Sequence, residues 1–409
     1  MQRSAPIIAM SSHRSLSSPT VVALGGLLSL AVSMGVGRFA FTPVLPLMVG
    51  EGLLTVAQGS WLAAANYAGY LLGALLAARL AVDMRRLAIL SLGLVACSTA
   101  AMAMPGGVAW TVLRFSSGLL AAWVFVATSV WCLATLARMN RPDLGGCVYA
   151  GVGVGIAAAG VCCLWMAVQG LATPLIWISL GLLALAMTIP VALVIRLPII
   201  VSEVAPSSSS DAGRVPAGTG GLVVSYGIMG YGYILPATFL PLLARSVITD
   251  PALFGLAWPV FGLTAALSTL FAGLLMRRYS RLRVWAVSQL LMGIGAVVPS
   301  IWSSGTSILL SAILVGGTFM VITLAGVQEV RERVAWSPAK WVGYLTAAFA
   351  LGQIAGPMAS YFLLLQPGLA DEALGLGLQS AALLLFTSGI WLWRYARPIG
   401  ASRGLQHVR

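Results

Sequence analysis

Twelve stretches of this chain are apolar for roughly the length that a lipid bilayer demands, and basic clusters punctuate them. A crossing helix needs about 20 apolar residues. The runs fall at 21–49, 59–80, 87–104, 108–136, 146–169, 173–195, 220–244, 252–276, 284–302, 306–328, 340–365 and 374–393. Only 8% of the residues are charged and 59% are hydrophobic, against about 25% charged in a soluble domain. No soluble core of this length hides so much apolar surface. Within hydrocarbon the backbone must satisfy its own hydrogen bonds, so the runs predict helices and an all-α membrane protein.

The formal charge of +13 does not indicate a nucleic-acid partner, because of where the charges lie. Let the tails and the loops after spans 2, 4, 6, 8 and 10 share one face. That face then holds twenty of the 23 basic residues, the other has Arg245 alone, and Arg38 and Arg114 fall inside spans. The positive-inside rule makes the basic face cytoplasmic. Both termini are expected there, in a multi-pass protein of a bacterial inner membrane. The first run is too long for a cleaved signal peptide and reads as a retained span. Tryptophans 61, 110, 177, 302, 341, 391 and 393, near span ends, fit an interfacial belt. The five cysteines lack metal-ligand spacing and the two histidines, His13 and His407, lie in the tails. No metal, no cofactor and no enzyme chemistry are expected.

One segment repeats. Gly35–Met48 reads GVGRFAFTPVLPLM and Gly230–Leu243 reads GYGYILPATFLPLL, aligned without a gap. Gly35/Gly230, Gly37/Gly232 and Pro46/Pro241 are identical, and Pro43 and Pro236 add a second proline to each copy. Interrupted helices at matching places in two halves point to a transporter's substrate site. Where the first copy has Arg38, the second has Tyr233. The one long polar interruption, containing PSSSSDAGRVPAGTG, has the composition of a flexible linker. The expected division is a tail at 1–20, six helices at 21–195, a linker at 196–219, six helices at 220–395 and a tail at 396–409. The fold expected is two pseudo-symmetric six-helix bundles.

Twelve spans, the 6+6 division and a basic loop after span 2 resemble the major facilitator superfamily. GVGRFAFTPVLPLM, ANYAGYLLGALLA (65–77), GYGYILPATFLP (230–241) and TAAFALGQIAGP (346–357) are similar to its YbfB/YjiJ-like branch. The resemblance covers nearly the whole chain and implies a transporter without naming a cargo. Arg114 and Gly118 match the superfamily's fourth-helix spacing, where the arginine is associated with the central cavity. The loop after span 2 departs from the family pattern: Gly73 is followed by Ala77, with Asp83, Arg85 and Arg86 nearby. Span 5 has Gly151, Gly153, Gly155 and Gly160 but lacks the proline of the antiporter version.

A charged side chain deep in a span costs about 2.5–3.5 kcal/mol on insertion scales, so it faces a cavity or a partner. Arg38 and Arg114 are expected at comparable depths facing one cavity, as guanidinium donors for a carboxylate or phosphate. The bland alternative is neutralisation by backbone carbonyls at the broken helix. Asn66, Tyr67, Tyr226, Tyr233, Thr238 and Gln353 complete the candidate substrate site. Arg85, Arg86, Arg277 and Arg278 occupy equivalent loops of the two halves. They suit topology and lipid headgroups, or salt bridges of a gate.

The leading reading is a secondary transporter of a small organic anion working by alternating access. No mid-depth carboxylate is available to carry a proton, which leaves the substrate's own carboxylate, Glu51 or Glu329 from the edge, or no coupling. Multidrug or metabolite efflux by proton antiport is the alternative, followed by a transporter-like sensor. The expected partners are the solute, protons and membrane lipids, and the expected state is a monomer.

Overall fold

A computed structural model of the protein describes residues 18–79, 82–196, 215–247, 256–302, 304–364 and 372–396. These form twelve helices, with no strand among the described residues. The first six are α1 (Pro19–Gly50), α2 (Val56–Ala77), α3 (Met84–Ala101), α4 (Val108–Arg138), α5 (Gly145–Val168) and α6 (Thr173–Arg196). The second six are α7 (Thr219–Val247), α8 (Ala257–Arg278), α9 (Arg281–Ile301), α10 (Gly305–Arg333), α11 (Pro338–Leu364) and α12 (Ala373–Tyr395). Ten of the twelve are long and apolar enough to cross a membrane on length and composition; α2 and α7 are not in that set. Most of the expected linker, and nearly all of both expected tails, lie outside the described residues.

Helix starts follow from capping chemistry. Ser18 caps α1 ahead of Pro19, Thr55 and Gln58 form a capping box at α2, and Asp83, Ser280 and Ser304 cap α3, α9 and α10. Each cap satisfies an amide that the helix itself cannot. The outer faces are bare and apolar: Leu90, Leu193, Phe271 and Leu383 each expose more than half their surface. Such a surface suits lipid, where helices gain little from hiding apolar side chains and instead pack through small residues. A Cβ at Gly35 of α1 would lie 2.3 Å from the Cα of Gly155 on α5. In the second half a Cβ at Gly352 of α11 would lie 2.1 Å from the Gly227 carbonyl of α7. The tryptophan belt is only partly realised. Trp61 and Trp302 are exposed, but Trp110 and Trp177 are buried. The first donates to the carbonyls of Met102 and Met104, and the second stacks on Phe41.

The two halves meet along α5 against α8 and along α2 against α11. Gly153 and Gly262 bring the first pair into backbone contact, and Gly343 seats against Ala74 and Ala78 in the second. Gly343, Ala78, Asp143 and Arg277 all lie at the arginine-rich end of the bundles. The halves are therefore closed on each other at that basic end.

The interruption of the first repeat is realised as a π-helix, Ala31–Phe39, inside α1. The second repeat departs from expectation. Gly230, Gly232, Pro236 and Pro241 lie in a helix that stays α from Thr219 to Val247.

Candidate functional site

The π segment delivers Arg38 to the seam between the halves. The wider turn sits just ahead of Pro43, which lacks an amide hydrogen and crowds the carbonyl one turn earlier. In the π register the carbonyl of Arg38 looks to residue 43, which is a proline and cannot donate. Arg114 of α4 supplies what is missing. Its Nη2 donates to the Arg38 carbonyl at 3.2 Å and its Nη1 to the Gly37 carbonyl at 3.3 Å, while the Ser117 hydroxyl donates to Gly37 at 2.7 Å. Phe41 lies under the same guanidinium, 4.4 Å from its centre to the ring.

Arg38 is 2% exposed, and its side chain is held from both halves. Nε donates to Asn66 Oδ1 of α2 at 3.3 Å, and Nη2 donates to Gln353 Oε1 of α11. Asn66 in turn donates through Nδ2 to the Arg114 carbonyl at 2.9 Å, so one amide ties α1, α2 and α4 together. Aromatic rings close around the cation. Tyr70 lies at 3.9 Å, Phe39 at 5.3 Å, Tyr67 at 5.6 Å and Phe349 at 6.0 Å from the guanidinium carbon. Among the described residues no carboxylate pairs with Arg38 or Arg114. Arg38 Nη1, Gln353 Nε2 and the Tyr233 hydroxyl are buried without a hydrogen-bond partner.

Arg38, Asn66, Tyr67 and Gln353 thus come together, and Tyr233 joins them through Phe349, ring centres 6.0 Å apart. Arg114 belongs to the same network but faces backbone, with both terminal nitrogens committed to α1. Tyr226 also meets Phe349, ring centres 5.8 Å apart, and lies edge-on to Trp285. The side chains of Thr238 and Pro241 lie outside the described residues. Gln289 makes a closed structural set, accepting from Trp285 and donating to Ser225 and Ser388. The edge carboxylates are engaged elsewhere: Glu51 accepts from the Thr173 amide at the start of α6, and Glu329 pairs with Arg333 and Arg281.

At the basic end one ion pair crosses the halves. Asp143, on the short turn Pro142–Leu144 before α5, meets Arg277 Nη2 of α8 at 2.8 Å and also binds Arg141. The Arg141 hydrogen bond, with Arg277 adding to it, holds the Asp143 carboxyl below its ordinary range. Of the other gate candidates, Arg85 lies over Trp131, Arg86 reaches Asp83 at 3.8 Å, and Arg278 is exposed. Sequence reasoning missed Asp143, an unremarkable loop acid, and Ser117, whose role depends on a helix crossing.

Residues 30–392 match the family described as "Uncharacterised MFS-type transporter YbfB". Among solved structures, the chain is similar to the crystal structure of the human organic anion transporter MFSD10 (TETRAN). The likeness has a TM-score of 0.67 at 15% identity and spans 91% of this chain and 98% of that one. At that identity the likeness concerns the fold. No curated protein matches this sequence.

Proposed function

The chain belongs to the YbfB-type family of major facilitator transporters, and on that premise we propose that it carries a small organic carboxylate by alternating access, with Arg38 taking the anion. The observation that carries this reading is the state of Arg38: a buried cation with no carboxylate partner and one terminal nitrogen left without an acceptor. A buried charge is costly until it is paired and fully hydrogen-bonded. A substrate carboxylate brings both the counter-charge and the missing acceptors. Arg114 acts as a positioning residue, keeping the π segment in place so that Arg38 points into the seam. The human neighbour, described as an organic anion transporter, is in keeping with this reading.

The halves touch at the basic end and Phe39 meets Trp258 across the seam, so Arg38 is enclosed in this state. The positive-inside rule puts the basic end in the cytoplasm. Rocking about the α5/α8 and α2/α11 contacts then presents the site to each side of the membrane in turn. With Glu51 and Glu329 engaged at the edges, the group that takes up a proton is the substrate carboxylate once it has left Arg38; bound to Arg38 it is the anion.

Thermal-shift titration of detergent-purified protein with organic acids, sugars, amino acids and cationic drugs tests the proposal. Carboxylates should stabilise the protein, and Arg38→Ala should weaken them by about 10- to 100-fold, as expected for a charge-assisted pair worth about 1.5–3 kcal/mol. Stabilisation by cations or neutral compounds, unchanged in Arg38→Ala, overturns it.

A further inference from the structure

Resting on that reading, we propose that the carried anion is a planar aromatic monocarboxylate, its carboxylate on Arg38 and Gln353 and its ring in the seam beside Phe39. The polar end of the site is small. Arg38 has Nη1 free, Gln353 has Nε2 free, and both atoms are donors buried without partners. Two buried donors on side chains that are hydrogen-bonded to each other, one of them charged, suit the two oxygens of a single carboxylate. Tyr70, stacked 3.9 Å over the guanidinium, closes one of its faces.

What adjoins this polar end is aromatic on both sides of the seam. Phe39 comes from the first half. Tyr233, Phe349 and Trp258 come from the second, on α7, α11 and α8. Within the second half the rings lie tilted or flat against their neighbours: Tyr233 on Phe319 at 4.9 Å, Phe319 on Phe261 at 5.4 Å, and Trp258 on Phe261 at 5.3 Å. Across the seam the contacts are edge-on instead. Phe39 meets Tyr233 at 6.3 Å and 73°, and Trp258 at 6.4 Å and 62°.

The boundary between the halves, which only the Phe39 ring contacts cross here, locates the place that opens. The stacked rings belong to one bundle and move together, whereas Phe39 moves with the other. Rocking the halves apart uncovers the Phe39 ring and the ring faces opposite it, immediately beside the Arg38–Gln353 bond. A flat ring about 3.5 Å thick refills such a slot and regains offset or edge-on aromatic contacts. A short aliphatic acid leaves it empty, and a puckered ring fits it poorly. The Tyr233 hydroxyl, buried and unpaired, adds a polar atom to the ring end of the slot. A hydroxyl on the substrate ring is therefore expected to be tolerated there.

The experiment is a titration of the detergent-purified full chain, by thermal shift and calorimetry, with benzoate, 4-hydroxybenzoate, cyclohexanecarboxylate and propionate. Benzoate and 4-hydroxybenzoate should bind at least tenfold more tightly than the other two, with every acid weakened about 10- to 100-fold in Arg38→Ala. Phe39→Leu should erase most of that preference by weakening benzoate at least tenfold more than it weakens propionate. Phe349→Leu is the second variant should Phe39→Leu fail to fold. If cyclohexanecarboxylate or propionate binds as tightly as benzoate, and does so through Arg38, the aromatic class is wrong and the carboxylate reading stands. If no acid binds in an Arg38-dependent way, both are wrong.

Discussion

The two copies of the Gly-x-Gly segment share their glycines and one proline, yet only the copy in α1 leaves α geometry. The second prolines differ in register. Pro43 and Pro46 are three residues apart and fall on one face of the helix, a turn from each other. Pro236 and Pro241 are five apart, so the donors they remove are on different faces. In α1 the loss of donors is concentrated, the helix widens, and Arg114 and Ser117 cap the exposed carbonyls. In α7 the helix runs on, and Tyr233 at the position of Arg38 stacks on Phe319. One ancestral-looking pattern thus supplies a polar, cation-bearing wall on one side of the seam and an apolar wall on the other.

The largest effect should come from what the copies share. A side chain at Gly35 meets the Gly155 backbone, and one at Gly230 would lie 2.2 Å from the Phe349 carbonyl. Neither partner is a flexible side-chain end. Gly35→Leu and Gly230→Leu are both expected to cost about 3 kcal/mol or more, seen as loss of the monodisperse peak in detergent. A folded Gly230→Leu beside an unfolded Gly35→Leu would show that the glycines matter in one copy only.

The next effect separates the two arginines. Arg114→Met leaves the Arg38 carbonyl without its side-chain donor and the Gly37 carbonyl with Ser117 alone, costing about 1–3 kcal/mol. Arg38→Met strands the side-chain oxygens of Asn66 and Gln353 in the same way, so the two variants should lose similar ligand-free stability, while carboxylate affinity falls most in Arg38→Met. Carboxylate titration of the two folded variants checks the separation of roles. If Arg38→Met binds carboxylates as the parent does, Arg38 is a structural residue.

Pro43→Thr places in the first copy the residue found at the matching position of the second, Thr238. The restored amide should draw residues 38–43 toward α geometry and shift stability by about 1 kcal/mol or less, because a lost constraint offsets a regained hydrogen bond. Hydrogen exchange should slow at residues 42–44 while carboxylate affinity drops several-fold. Unchanged exchange would mean that Pro43 does not set the π turn.

How much of this was legible beforehand follows from what each signal depends on. Span positions depend on local hydrophobicity alone, and the run at 108–136 became Val108–Arg138 with little change. Arg38, Asn66 and Gln353 stand out because a polar group inside an apolar run is conspicuous wherever it sits. The ring set Phe39, Trp258, Phe261, Phe319 and Phe349 was invisible, since an aromatic residue in a membrane helix reads as one more apolar residue until its neighbours are known. Arg114 was found but its partner was open, because facing a carbonyl or a ligand is decided by a helix crossing. The π turn was signalled by proline and glycine, but which copy adopts it depends on proline register and on donors from α4.

The smallest effect lies at the basic end, where the seam repeats the asymmetry. The α2/α11 contact closes through Gly343 on Ala78 without charge, while its counterpart between α5 and α8 adds the Asp143–Arg277 pair. Arg277 exposes 58% of its side chain, so the pair is screened and contributes about 0–1 kcal/mol. Asp143→Asn should therefore leave the melting point almost unmoved, yet it removes a contact made only while this end is closed. Labelling of a cysteine placed at Ala78, which already carries a Cβ at that contact, should speed up by about two- to fivefold, since 1 kcal/mol is a factor of about 5 in a two-state population. The pH dependence has a definite sign. A carboxyl held below its ordinary value of about 3.9 keeps its pair at every pH above that value and loses it only as pH falls through the lowered one. Labelling slows toward pH 5 with the thiolate fraction of the probe cysteine, so the ratio of the Asp143→Asn rate to the parent rate is the quantity that should be flat between about pH 5 and 8. A fall in that ratio on going from pH 7 to 5 would show that this pair senses protons, and would move the proton-carrying step from the solute to the basic-end gate.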